Sequence, residues 1–185
     1  ILAFVGVSIG VMVLILSMAI MNGTAKEFEK KLFTMNYPLT IHPKFSTISL
    51  DQELLNNLQK EFPHLKFSPF ISSQAIIQSG ETMSGGMIFG VIPQKEALIN
   101  PVYKKALGDL NLDKFDIITG SGISDKLFLN PGTKTTLYFT ELNPTGFSMM
   151  PKMKRFTYIT SFTSGLNAYD KSYMYTSMEA LQSLL

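Results

Sequence analysis

From Ile1 to Met21 the chain carries no charged residue, and only Gly6, Ser8, Gly10 and Ser17 interrupt its aliphatic and aromatic side chains. At about 1.5 Å per residue, a helix of this length covers about 30 Å, the hydrocarbon thickness of a bilayer. A run of that kind is expected to cross a membrane. The alternative is a signal peptide cleaved near Ser17-Met18-Ala19, but the run exceeds the usual apolar core of a leader and no basic segment precedes it. The chain starts inside the apolar run without an initiator Met, so upstream sequence is expected. Lys26, Lys30 and Lys31 stand against Glu27 and Glu29, a balance that leaves the orientation open.

Every charged residue lies beyond this segment, so the overall 16% charged content of the 185 residues combines an uncharged helix with an ordinary globular domain. The net charge of +2 shows no basic stripe of the kind nucleic acid requires. The absence of cysteine excludes a disulfide framework, a thiolate metal site and a thiol nucleophile.

Along the chain, Gly6 and Gly10 form a small-xxx-small pair that lets a second membrane helix approach closely. Thr24-Ala-Lys-Glu27 reads as a capping box opening a juxtamembrane helix over 22–37, stopped by Pro38. Leu39 to Pro43 alternates like a strand. Ser49 with Gln52 opens a helix bearing Leu54, Leu55, Leu58 and Phe62. Strands are expected over Phe70–Gln78 and Met87–Ile92, joined through Gly80 and Gly85-Gly86, and Pro93 to Pro101 marks a boundary. Beyond it, a short strand at Ile117-Ile118 precedes a helix opened by Ser121, with Ile123, Leu127 and Phe128 facing inward. Asn130-Pro-Gly132 turns into a strand over Thr133–Thr140. Strands over Phe156–Phe162 and Lys171–Tyr175 and a helix over Ser177–Leu185 complete the pattern. The fold class is α+β. The expected organisation is a transmembrane helix at 1–21, a juxtamembrane helix at 22–37, an incomplete first α+β subdomain at 38–93 and a second at 94–185.

No catalytic constellation emerges. His42 and His64 have no carboxylate at metal-ligand spacing. Asp109, Asp113 and Asp116 lack the glycine and terminal Glu of a calcium loop. Gly120-Ser-Gly122 lacks the Lys-Ser/Thr of a phosphate loop, and Ser124 with Lys126 has no recognisable oxyanion element. No cofactor and no metal are expected. The most informative stretch runs from Glu141 to Arg155, between two strands and bracketed by Pro144 and Pro151. It holds Phe147, Met149 and Met150, followed by Lys152, Lys154 and Arg155. Apolar and Met side chains on an exposed connection suit binding to a protein partner; alternatively, they fold back over the sheet.

Several of these stretches together resemble one family. Val5-Gly-Val-Ser-Ile-Gly10, the aliphatic run and Met21-Asn-Gly23 resemble the first membrane helix of LolC/LolE-type permeases, within the broader MacB/FtsX-like permease group. Gly85-Gly86 to Pro93, Ile118-Thr-Gly120 to Gly132, Pro151 to Phe156 and Tyr169-Asp170 to Leu185 resemble successive elements of that family's outer domain, in order. The chain departs from the pattern at Asn130-Pro131 and at Lys134, near a customary Asp. The resemblance implies a porter-like unit at 38–93 and a sabre-like unit at 94–185. It implies a non-catalytic permease subunit in the inner membrane of a Gram-negative bacterium, with its folded domain in the periplasm and further membrane helices beyond Leu185.

The implied partners are a cytoplasmic ATPase, a second permease subunit or homodimer partner, a LolA-like periplasmic carrier, and the lipoprotein cargo. The resemblance also assigns the bracketed loop as a carrier-binding hook comprising Asn143, Pro144, Thr145, Gly146, Phe147, Ser148, Met149, Met150, Pro151, Lys152 and Lys154, with Arg155 adjoining. The alternatives are a MacB-like or FtsX-like permease with other cargo, or a membrane-anchored binding module.

Overall fold

The computed structural model describes residues 2–42, 52–139 and 152–185. It contains two compact units, Ile1–Leu39 and Thr40–Leu185. The first is a single helix, α1 (Leu2–Met35), about 51 Å long at 1.5 Å per residue. Its most apolar stretch has a mean hydropathy of 2.5 and is 0% buried, so Phe4, Met12, Leu14 and Ile20 are exposed. Length and composition fit a membrane span. The two helices expected over 1–21 and 22–37 are therefore one. Thr24 caps nothing: its hydroxyl donates to the Ile20 carbonyl at 2.8 Å, and Ser8 donates to Phe4 at 2.9 Å. A hydroxyl satisfied within its own helix is what a lipid environment demands, and it lets α1 run through without a break.

The second unit comprises α2 (Gln52–Glu61), β1 (Phe70–Ser79), β2 (Thr82–Val91), α3 (Pro93–Ile99), α4 (Pro101–Leu107), β3 (Asp116–Gly120), α5 (Ser121–Leu127), β4 (Lys134–Phe139), β5 (Lys152–Phe162), α6 (Asn167–Asp170), β6 (Tyr173–Ser177) and α7 (Met178–Gln182). Leu39–His42 is not a strand; Pro43 and Ser49, used in the sequence reading, lie outside the described residues. The strands close into a barrel of order β1-β2-β6-β3-β5-β4. Antiparallel pairing of β1 with β4, as at Ala75↔Phe139, completes the ring, while β2–β6 and β3–β5 run parallel. The division expected after Pro93 does not separate two units. The β1–β2 hairpin alone would leave two unpaired edges, and both are satisfied by strands from beyond residue 93.

A ring this narrow is filled by its own side chains. Ile77, Ile88, Ile117, Leu137, Phe139, Phe156 and Met174 meet inside, joined by Ile123 and Leu127 of α5 and Ala180 and Leu181 of α7. Phe128, expected to join them, is 84% exposed, because α5 ends at Leu127 and Phe128 takes the left-handed cap conformation at φ 51°.

Opposite residue faces carry a second layer. Tyr175 on β6 alternates with the core residue Met174, and its ring packs against Tyr103 of α4 at 5.2 Å, Phe162 at 5.5 Å and Phe89 at 5.6 Å. The α3–α4 pair thus covers the outside of β6. Pro93 and Pro101, read from sequence as boundary signals, occupy the first turns of these helices, where a missing N–H costs nothing.

Candidate functional site

The sequence placed function between two strands, and β4 and β5 are those strands. They pair antiparallel from Lys134↔Thr157 to Phe139↔Lys152. Residues 140–151 therefore leave and re-enter the barrel at neighbouring points. Asn143, Pro144, Thr145, Gly146, Phe147, Ser148, Met149, Met150 and Pro151 lie outside the described residues. Lys152, Lys154 and Arg155 are among the first, exposed residues of β5 rather than part of a connecting loop.

Strand alternation divides these three basic residues. Phe156 and Tyr158 point into the core, so Lys154 and Lys152 share their side, whereas Arg155 and Met153 share the other. The Lys154 ammonium stands 4.4 Å from the centre of the Phe115 ring, and that ring meets Phe156 edge-on at 5.6 Å. The Lys152 ammonium donates to the Leu184 carbonyl at 2.8 Å and lies 3.4 Å from that of Leu185. Met153, on the outer side, is 67% exposed. On that side Tyr138 of β4, facing Met153, donates to Gln78 of β1 at 2.7 Å.

The other sequence candidates resolve into local structure. His42 and His64 are exposed. Asp113 and Asp116 close a turn on each other, with the Asp113 N–H donating to the Asp116 carboxylate at 3.0 Å and the Asp116 N–H to the Asp113 carbonyl at 3.1 Å. Among the described residues no group of His, Cys, Asp or Glu could hold a metal. Backbone, not a ligand, fills the space above Gly120, where the Asp170 carbonyl carbon is 2.6 Å from the position of an added Cβ. Ser124 donates to the Ser121 carbonyl at 2.9 Å, and no Ser-Lys dyad is assembled.

A buried polar cluster went unseen in the sequence. Glu96 and Asn100 are each 1% exposed under the α3–α4 layer. The Glu96 carboxylate accepts from the Ser68 hydroxyl at 2.8 Å and from the Asn100 amide at 3.2 Å, and that amide also reaches the Tyr175 hydroxyl at 3.3 Å. Asn100 in turn caps α4 by accepting from the Tyr103 N–H at 3.0 Å. The Asn-Pro pair opening α4 was a legible signal; a buried Glu was not. Burial, with the Glu96 carboxylate nearby, pushes the Tyr103 hydroxyl well above its ordinary range. That hydroxyl is buried and has no hydrogen-bond partner among the described residues. Tyr103→Phe is therefore expected to raise stability by about 1 kcal/mol in chemical unfolding, since it removes an unsatisfied group and keeps the ring.

Comparison with known proteins agrees with this architecture. A family model for the MacB-like periplasmic core domain matches residues 1–183. The lipoprotein-releasing system transmembrane protein LolC of Xylella fastidiosa strain Temecula1 is 25% identical over 187 residues, covering 99% of this chain and 45% of that protein. LolC of Neisseria meningitidis serogroup B is 27% identical over 94% of this chain and 43% of its own length. LolE of Haemophilus influenzae is 27% identical over 75% of the chain and 35% of that protein. The chain spans less than half the length of these relatives. With an apolar helix leading to an α+β barrel and a family match over nearly its whole length, the chain belongs to the MacB-like periplasmic core domain family of MacB/FtsX-type permeases.

Proposed function

We propose that this chain is the first membrane helix and outer domain of a permease subunit in an ATP-driven lipoprotein-release system. The observation that carries the reading is similarity along 99% of the chain to a protein named as a transmembrane component of such a system. The domain would face the periplasm, and a separate cytoplasmic ATPase would supply the energy. Beside a second permease subunit, the complex would draw lipoprotein from the inner membrane and pass it to a soluble carrier. The continuous α1 suits transmission, since an unbroken helix carries an axial displacement farther than two helices joined by a hinge. The connection 140–151 would dock the carrier, with Phe147, Met149 and Met150 supplying apolar contact. Arg155, on the outer side of β5, would supply charge steering.

The test is Phe147→Ser, Met149→Ser and Met150→Ser combined in the full-length protein, followed by carrier capture. Capture is expected to fall at least tenfold while the unfolding midpoint of the domain stays unchanged. Undiminished capture by a folded variant would overturn the hook assignment.

A further inference from the structure

Basic residues beside a docking loop invite a single reading, attraction of an acidic partner. At the base of the β4–β5 connection the geometry separates them. Lys152 and Lys154 alternate with Met153 and lie on the core side of β5, just beyond the last core residue on that strand, Phe156. Both ammonium groups are engaged by the chain itself. Lys152 reaches the Leu184 carbonyl at 2.8 Å, in the turn that ends α7, and Lys154 stands over the Phe115 ring at 4.4 Å. Both anchors are tied to the core, since Phe115 and Leu184 each pack against its buried cluster.

We propose that Lys152 and Lys154 are positioning residues that brace the start of β5 against the end of the barrel and hold in place the point at which the β4–β5 connection rejoins it. The brace itself stands on described contacts. Its consequence for docking rests on the reading of the connection given above. Each tether is weak alone at an exposed site. Two on one face, at strand positions two apart, oppose rotation of the strand about its own axis. The contact with Leu184 also joins the connection to the segment that follows β6, so a displacement of α7 would be felt at the loop base.

Steering and bracing differ in what they change. Lys152→Met keeps the aliphatic stem and removes the ammonium; Lys152→Arg keeps a donor and the charge. In the full-length protein without carrier, hydrogen exchange at residues 183–185 is expected to rise about threefold or more in Lys152→Met and to stay near the unaltered rate in Lys152→Arg. With carrier, Lys152→Met and Lys154→Met are expected to speed dissociation several-fold while leaving the salt dependence of the association rate unchanged. Unchanged exchange at 183–185, or a slower and less salt-dependent association with dissociation unaltered, overturns the brace. The exchange arm uses no carrier. Altered exchange, together with no carrier capture by the unaltered protein, would sink the docking reading and leave the brace standing.

Discussion

Replacing Gly86 by Ala destabilises the outer domain by about 3 kcal/mol or more, at or beyond the upper end of ordinary overpacking costs, whereas the same change at the adjacent Gly85 is close to neutral. The two residues sit side by side in β2, yet their surroundings are opposite. An added Cβ at Gly85 meets nothing within 4 Å, while at Gly86 it overlaps the Ser172 carbonyl, whose carbon would lie 2.9 Å away. Ser172 cannot retreat, because its carbonyl accepts from the Met87 N–H at 2.7 Å, next to the first rung of the β2–β6 ladder. The obstacle is backbone rather than the end of a flexible side chain. A second glycine meets the same loop: at Gly120 the Asp170 backbone carbon would lie 2.6 Å from a Cβ. Asp170 is held by its own carboxylate, which accepts from the Ser164 N–H and the Ser164 hydroxyl, each at 2.7 Å. Gly120→Ala is therefore expected to resemble Gly86→Ala. For a domain with a net stability of about 5–15 kcal/mol, either change removes a large fraction of it. Because the chain has seven tyrosines and no tryptophan, the measurement is urea unfolding followed by tyrosine emission. A Gly86→Ala midpoint equal to that of Gly85→Ala would falsify the close-approach argument.

Those glycines also show where sequence reading stops. Gly85-Gly86 looks like a turn when judged by neighbours along the chain, so β2 was expected from Met87 but begins at Thr82. What Gly86 accommodates is a carbonyl far away in sequence. The same limit hid the closed barrel: alternation located β1, β3 and β4 closely, but nothing local says that β1 must pair with β4 or β2 with β6. β5 was expected only from Phe156, after a connection bracketed by Pro144 and Pro151, but it begins at Lys152, since a strand can carry a charged run where its core side passes the barrel end. The family resemblance placed the three residues together at the hook, and only the strand parity divides them. Pattern succeeded where the cause is local, as in the helix expected from Ser177: α7 begins at Met178, and the Ser177 hydroxyl caps it by accepting from the Ala180 N–H at 3.1 Å. The apolar helix was legible for the same reason, since length and lack of charge are properties of the segment itself.

Leu14→Arg is expected to cut membrane insertion of α1 severely, because an arginine near the middle of a spanning helix costs about 2.5–3.5 kcal/mol on insertion scales, where leucine contributes a few tenths favourably. Leu14 is 65% exposed and lies well inside the uncharged stretch that ends before Lys26, too far from either end for its side chain to reach water easily. Resistance of the full-length protein to alkaline extraction reads the outcome, and full retention of Leu14→Arg in the membrane would remove α1 as a span. A second substitution separates insertion from helix packing. At Gly6 and Gly10 an added Cβ meets nothing within 4 Å, so no described neighbour requires glycine there. Gly10→Ile keeps α1 apolar and is expected to insert normally. If the small pair seats another helix, the same variant loses assembly with its membrane partners, and that loss arises outside this chain. Lost insertion in Leu14→Arg would tie the apolar length of α1 to the bilayer, and lost assembly with normal insertion in Gly10→Ile would tie the small residue at position 10 to a neighbouring helix.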